Sequence, residues 1–223
     1  MTQVKANRTS GISMAGIQNV VTAPVPTPVP MQAIRIIRDE HQSLAAVLHA
    51  LAYLVREIRD HRAKPHFRLL GAIVYYIDTF PERFHHPKED AWLFRLLGER
   101  HPPAAALLDR LRSEHRAGAL KLRQLEQALI RYQQGGADEF AAFSAMVEAY
   151  VAFERSHMRS EETEVMPLAE QHLTPADWEA IDTAFLDHAD PLLGDAARAE
   201  YHELFRRIVN LAPPPIGVGP AAA

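Results

Sequence analysis

The chain has 223 residues, 48% hydrophobic and 23% charged, a balance that suits one soluble globular domain with tails and a sizeable core. The formal charge of −4 and the pI near 6.3 speak against nucleic acid or an anionic membrane surface as the main partner. The absence of cysteine excludes disulfides, thiol chemistry and cysteine-ligated zinc or iron–sulfur sites.

Residues 1–32 form a Pro-rich tail with APVPTPVP at 23–30, where alternating proline forbids regular helix and favours an extended arm. Lys5 and Arg8 precede no continuous apolar stretch, because Gly11, Ser13, Gly16, Gln18 and Asn19 interrupt it. No signal peptide is read there. No run approaches the roughly 20 apolar residues of a membrane helix, so the expected location is cytoplasmic. From Ile34 to Arg62, apolar residues recur at three and four, as in an amphipathic helix. Lys64-Pro65 breaks the chain. A second helix is expected from about His66 to Leu97, bent or distorted where Pro81 and Pro87 each remove a backbone hydrogen bond. A third spans about Ala104 to Gln134 and stops at Gly135-Gly136. A fourth runs from about Asp138 to His172. Thr174-Pro175 reads as a cap with proline at the first helical position. It opens a fifth helix to about His188, and a last one covers about Asp195 to Asn210.

No strand pattern emerges. The expected fold is all-α: an antiparallel up-down four-helix bundle over 33–173 with two additional C-terminal helices in an extension, 174–211, and a tail, 212–223.

Within this frame two hairpins repeat each other. The first helix carries RDEH, ending at His41, and the third carries RSEH, ending at His115. The second carries PERFHHPKED, with His85 and Glu89, and the fourth FERSHMRSEE, with His157 and Glu161. Residues at i and i+4 point the same way. Each hairpin can thus send one histidine and one His/Glu pair to a common level on the bundle axis. Relative to His85, Glu89 lies at about 40° and His86 at about 100° on an ideal helix. The carboxylate therefore falls between two imidazoles, which suits a glutamate shared by two cations. Relative to His157, Glu161 lies at about 40° and Glu162 at about 140°. This makes Glu161 the ligand and turns Glu162 to solvent. A single H-x-x-x-E is usually a solvated pair. Four inward histidines with two glutamates would instead desolvate ionisable groups at a cost of several kcal/mol unless a cation were bound. Nitrogen and oxygen donors without thiolate favour non-haem iron or manganese.

At these residues the chain resembles the hemerythrin-like (HHE cation-binding) family, over about Ile34 to His172. The resemblance implies a non-haem di-iron centre in a four-helix bundle, with bridging carboxylates and an open position for dioxygen. Carried over by motif, His41, His85, Glu89, His115, His157 and Glu161 would be iron ligands. One departure stands out. Oxygen carriers of the family place a second histidine four residues after the one on the third helix, and here that position is Ala119. His86 is the candidate to replace it; the alternative leaves His86 outside the ligand set.

The expectation is two iron ions, with manganese or zinc as less favoured occupants. The partner would be a small diatomic ligand, dioxygen or nitric oxide, for sensing, storage, detoxification or iron homeostasis. The alternative is a di-iron enzyme with peroxidase, oxidase or nitric oxide reductase activity. A third reading is a purely structural helical protein. The extension offers a surface for a homodimer. Among other residues, Tyr150 is read as core with its hydroxyl satisfied and Asp78 as a peripheral polar contact. Glu40 and Glu114 are turned about 100° from their neighbouring histidines and so read as surface. Phe84, Trp92 and Phe153 are read as apolar walls. His49, His61, His66, His101, His172, His188 and His202 are read as ordinary histidines.

Overall fold

The structure is a computed structural model that describes residues 31–186, 206, 208–210 and 212. The described residues are helical throughout, apart from turns. The proline-rich arm lies outside them, as do His188, His202 and most of the last expected helix. No helix among the described residues is long and apolar enough to cross a membrane.

Helix α1 spans Gln32–Arg59 and buries Ile34, Ile37, His41, Leu44, Leu48, Leu51 and Val55 along one face. The chain turns at His61, whose φ of 56° is left-handed. His66 then caps α2 (Phe67–Thr79) by accepting the Leu69 amide at 3.1 Å. Beyond α2 the helix widens. A π-helical segment covers Pro81–His85, three residues of α3 (His86–Lys88) follow, a second π-helical segment covers Glu89–Phe94, and α4 (Arg95–Arg100) resumes regular winding. The amides of Phe84 and His85 both donate to the Phe80 carbonyl, at 3.0 and 3.2 Å. The second bond reaches back five residues, as a π turn requires. The distortion expected at Pro81 and Pro87 is therefore present, and it takes the form of added width.

After a 3₁₀ turn at Pro102–Ala104, α5 runs Ala105–Gly135. Gly136, at φ 67°, reverses the chain into α6 (Ala137–Ser160), a conformation most side chains resist. A third π-helical segment, Glu161–Val165, precedes α7 (Met166–His172). The sequence reading treated this stretch as regular helix. It overlooked Pro167, which has no amide to offer the Thr163 carbonyl. Both Pro87 and Pro167 stand two residues after a π-helical segment that contains or follows an expected ligand.

Helix α1 contacts α2 and α6, α2 contacts α5, and α5 contacts α6. Two apolar clusters fill the interior. One holds Leu44, Leu48, Ile73, Leu122, Phe143 and their neighbours; the other holds Ile34, Phe94, Leu108, Val165 and Met166 with theirs. The histidines and glutamates lie at the seam between them. On α1, Ile37 belongs to one cluster and Leu44 to the other, with His41 between. On α5, Leu111 and Leu122 flank His115 in the same way. Helix α8 (Pro175–Leu186) adds Trp178, Ile181 and Phe185 to the second cluster. Thr174 caps it as read: its hydroxyl accepts the Asp177 amide at 3.3 Å, and Asp177 accepts the Thr174 amide at 2.9 Å. Asp177 also accepts both arms of Arg100, at 2.8 and 2.9 Å, and Asp182 accepts the Ala33 amide at 2.8 Å. These bonds tie α8 to α4 and to the start of α1.

Candidate metal centre

All seven residues singled out for metal binding are buried and meet at the seam: His41, His85, His86, Glu89, His115, His157 and Glu161. They form two donor groups. His41, His85, Glu89 and Glu161 make one; His86, His115 and His157 make the other. The two glutamates join them. Glu89 places Oε1 3.4 Å from His85 Nε2 and Oε2 3.6 Å from His115 Nε2. Glu161 places Oε2 3.3 Å from His41 Nε2, and Oε1 3.4 Å from His115 Nε2 and 3.1 Å from His157 Nε2. Each carboxylate thus turns one oxygen to each group. His86, the residue left open by the sequence, is inside: its ring stacks on that of His115 with centroids 4.1 Å apart.

With the imidazoles neutral, the form in which they could hold a cation, the inward nitrogens carry no proton. His41 Nδ1 is 2.9 Å from Glu162 Oε1, and His85 Nδ1 is 2.9 Å from Glu40 Oε2. His115 Nδ1 is 3.1 Å from Asp90 Oδ1, and His157 Nδ1 is 3.0 Å from Glu114 Oε2. An ionised carboxylate only accepts, so each Nδ1 carries the hydrogen. In a neutral imidazole the Nε2 is then a bare lone pair. Yet His41 Nε2 and His85 Nε2 lie 3.1 Å apart. Among the described residues, both oxygens of Glu89, Oε2 of Glu161 and Nε2 of His157 are buried without a hydrogen bond. Lone pairs converging in this way call for a cation between them. The residues present fit one.

The titration pattern points the same way. Burial, then the Glu161 charge, pushes the Glu89 carboxyl well above the usual range. Burial would do the same to Glu161, but His157, His115 and His41 outweigh it and hold Glu161 well below. Burial, then His115 and His85, pushes His86 well below its ordinary value. Burial lowers His157 as well, yet Glu161 and Glu114 prevail and move it up to about 9. Without a cation the site can only be neutralised piecemeal, by protons on some members and not on others.

A family model for the hemerythrin HHE cation binding domain matches residues 32–169. The chain belongs to the hemerythrin HHE cation-binding family. No curated relative matches it. The HHE domain binds metal cations, and the His/Glu groups of this chain are suited to that role.

Several side chains differ from the sequence reading. Glu40, Glu114 and Glu162 are not surface bystanders: each holds the Nδ1 of a histidine on a neighbouring helix. The helical angle that turned them from the histidine on their own helix turns them toward the next one. Asp90, overlooked in the sequence, does the same for His115. The repeat carried the signal, since Glu-His occurs at 40–41 and 114–115, and the bridging glutamates are followed by Asp90 and Glu162. Trp92 is exposed, with the Arg95 guanidinium over its ring. The wall expected of it comes from Phe94, buried and stacked on His115 at 5.5 Å. Phe153 stacks on His157 at 6.4 Å, as a wall should. Phe84 is half-buried. Asp78 pairs with Arg83 at 2.8 Å, a peripheral contact. His101 and His172 are not separate: their rings stack at 3.9 Å. Tyr150 is core, and its hydroxyl faces Glu154. It lies beside two further carboxylates that the sequence reading missed, Glu82 and Glu154. Burial, then Glu154, moves Glu82 up to about 7; burial also raises Glu154.

Proposed function

We infer that this HHE protein carries a dinuclear centre of two iron ions and uses it to bind dioxygen or nitric oxide, in the cytoplasm, for sensing, storage, detoxification or iron homeostasis. The centre would sit in an antiparallel up-down four-helix bundle made by α1, the stretch from α2 to α4, α5, and the stretch from α6 to α7. One observation carries the reading: Glu89 and Glu161 each offer one oxygen to each of two histidine groups. His41 and His85 would hold one ion, and His86, His115 and His157 the other, with both glutamates shared. When bound, such a pair could supply two electrons to dioxygen, one from each iron. The residues around it do the rest. Glu40, Glu162, Asp90 and Glu114 fix the tautomer and direction of four imidazoles. Phe94 and Phe153 cover the ring faces of His115 and His157 and limit water.

The two-histidine group has four donors from the chain and the three-histidine group five, counting the shared carboxylates. On this reading the exogenous ligand would bind on the His41/His85 side. The test is metal analysis with an optical spectrum before and after oxygen exposure. Two irons per chain and a reversible spectral change are expected. His85→Ala or Glu89→Ala should abolish the pair, while His86→Ala should keep the His41/His85 ion and weaken the other. One metal per chain, or two retained in Glu89→Ala, overturns the assignment. Steady-state turnover of peroxide or nitric oxide in place of reversible binding would make the protein an enzyme instead.

A further inference from the structure

A second set of buried polar groups lies beside the His86/His115/His157 group. Glu154 is 1% exposed, and neither of its oxygens has a hydrogen bond. Glu82 Oε1 is likewise buried and unpartnered. Among the described residues no arginine or lysine pairs with either carboxylate; Glu82 has only His86, whose Nδ1 is 3.8 Å from its Oε2. Both carboxylates turn to one spot over α5. A Cβ on Gly118 would lie 3.3 Å from Glu154 Oε1 and 3.5 Å from Glu82 Oε1. It would also meet Phe153 Cε1 at 3.3 Å, so the absence of a side chain on Gly118 is what lets these groups approach α5. The Tyr150 hydroxyl, one turn before Glu154 on α6, faces Glu154, and His86 turns its Nδ1 toward Glu82. Two buried carboxylates and a hydroxyl, faced by the His115 and His157 rings, are the donor set of a hard divalent cation.

The pocket also grades from surface to interior. The Glu82 side chain is 13% exposed, Glu154 is closed off, and His86 touches Glu82 on the inner side. We propose that Glu82 and Glu154, with Tyr150, form a separate divalent-cation site beside Gly118 from which metal passes to the His86/His115/His157 group. The site itself rests on the geometry of Glu82 and Glu154, and its loading role rests on the metal-centre reading above. The passage involves no redox step: the ion exchanges carboxylate oxygens for imidazole nitrogens, and the carboxylates are left to take the next ion.

The experiment uses the full chain stripped of metal, with manganese(II) as probe. Anomalous scattering from manganese-soaked crystals locates the ions, and loss of the free-ion electron paramagnetic resonance signal after rapid mixing times their uptake. Three positions are expected, one of them on Glu82 and Glu154. Glu154→Gln, which keeps the shape, should lose that position alone and slow uptake on the order of tenfold, in the range of losing a carboxylate near a metal. An unchanged thermal transition in the metal-free variant would show that its fold is intact. Central positions filled with nothing at Glu82/Glu154, or uptake in Glu154→Gln at the wild-type rate, overturns this proposal and leaves the metal centre standing. A filled acid site with the histidine groups empty would instead overturn the metal centre and, with it, the loading role.

Discussion

Glu40→Ala tests whether the carboxylates behind the histidines tune the site. Glu40 sits on α1, its side chain is 18% exposed, and among the described residues its side chain's one hydrogen-bond partner is His85 Nδ1 at 2.9 Å. Without it the imidazole can rotate, and its proton can move to Nε2, the nitrogen aimed at Glu89 3.4 Å away. Losing such a partner weakens metal binding about 10- to 100-fold, which is roughly 1.4 to 2.7 kcal/mol. The low exposure places Glu40→Ala toward the upper end, because water reaches the vacated position poorly. Glu114→Ala should match it, since Glu114 holds His157 at 3.0 Å and is 24% exposed. Glu162→Ala should lie at the lower end: Glu162 is 43% exposed, and water can replace it on His41. Glu40→Gln keeps an acceptor but loses the charge, so it should fall between alanine and wild type. The assay is competition with a chelator of known affinity, under anaerobic iron(II) or with manganese(II). Glu164→Gln, on an exposed residue paired with Arg110, is the control. Affinities for Glu40→Ala and Glu114→Ala within about twofold of wild type would refute the reasoning, because the measured range for such partners starts near tenfold.

Three further outcomes follow from the same geometry. In the metal-free protein His157 is moved up to about 9, so its contribution to stability is full below the unfolded value near 6.5 and is lost as pH rises through about 9. Denaturant midpoints should fall by the equivalent of about 3 kcal/mol across that window, and the fall should vanish once metal holds the imidazole neutral; a flat metal-free profile refutes it. Asp177→Asn removes the carboxylate that accepts from Arg100 and Thr174 and should lower stability by about 2 kcal/mol, read as a lower thermal midpoint with α8 exchanging its amides early. Phe94→Ala should cost about 3 to 5 kcal/mol, because the buried ring fills the core and stacks on His115; calorimetry of the metal-free protein would measure it.

Much of this protein was legible in its sequence. Helices follow from apolar residues at three and four, and that period also fixes which histidines face inward. The duplicated H … H-x-x-x-E spacing placed His41, His85, Glu89, His115, His157 and Glu161 at one level, because residues four apart share a face. The choice of Glu161 over Glu162 as the inward residue came from the same period. What a single-helix argument cannot see is a partner on another helix. Glu40, Asp90, Glu114 and Glu162 were hidden for that reason: each meets a histidine of another helix, brought near by packing. Glu82 and Glu154 were hidden likewise, since two carboxylates far apart in sequence meet only where Gly118 leaves room between α2's continuation and α6. His86 was undecided because Pro87 follows it, and whether a proline kinks, narrows or widens a helix depends on what the neighbouring helices will accept. Packing decided for a π turn, and with it a third histidine in the second donor group.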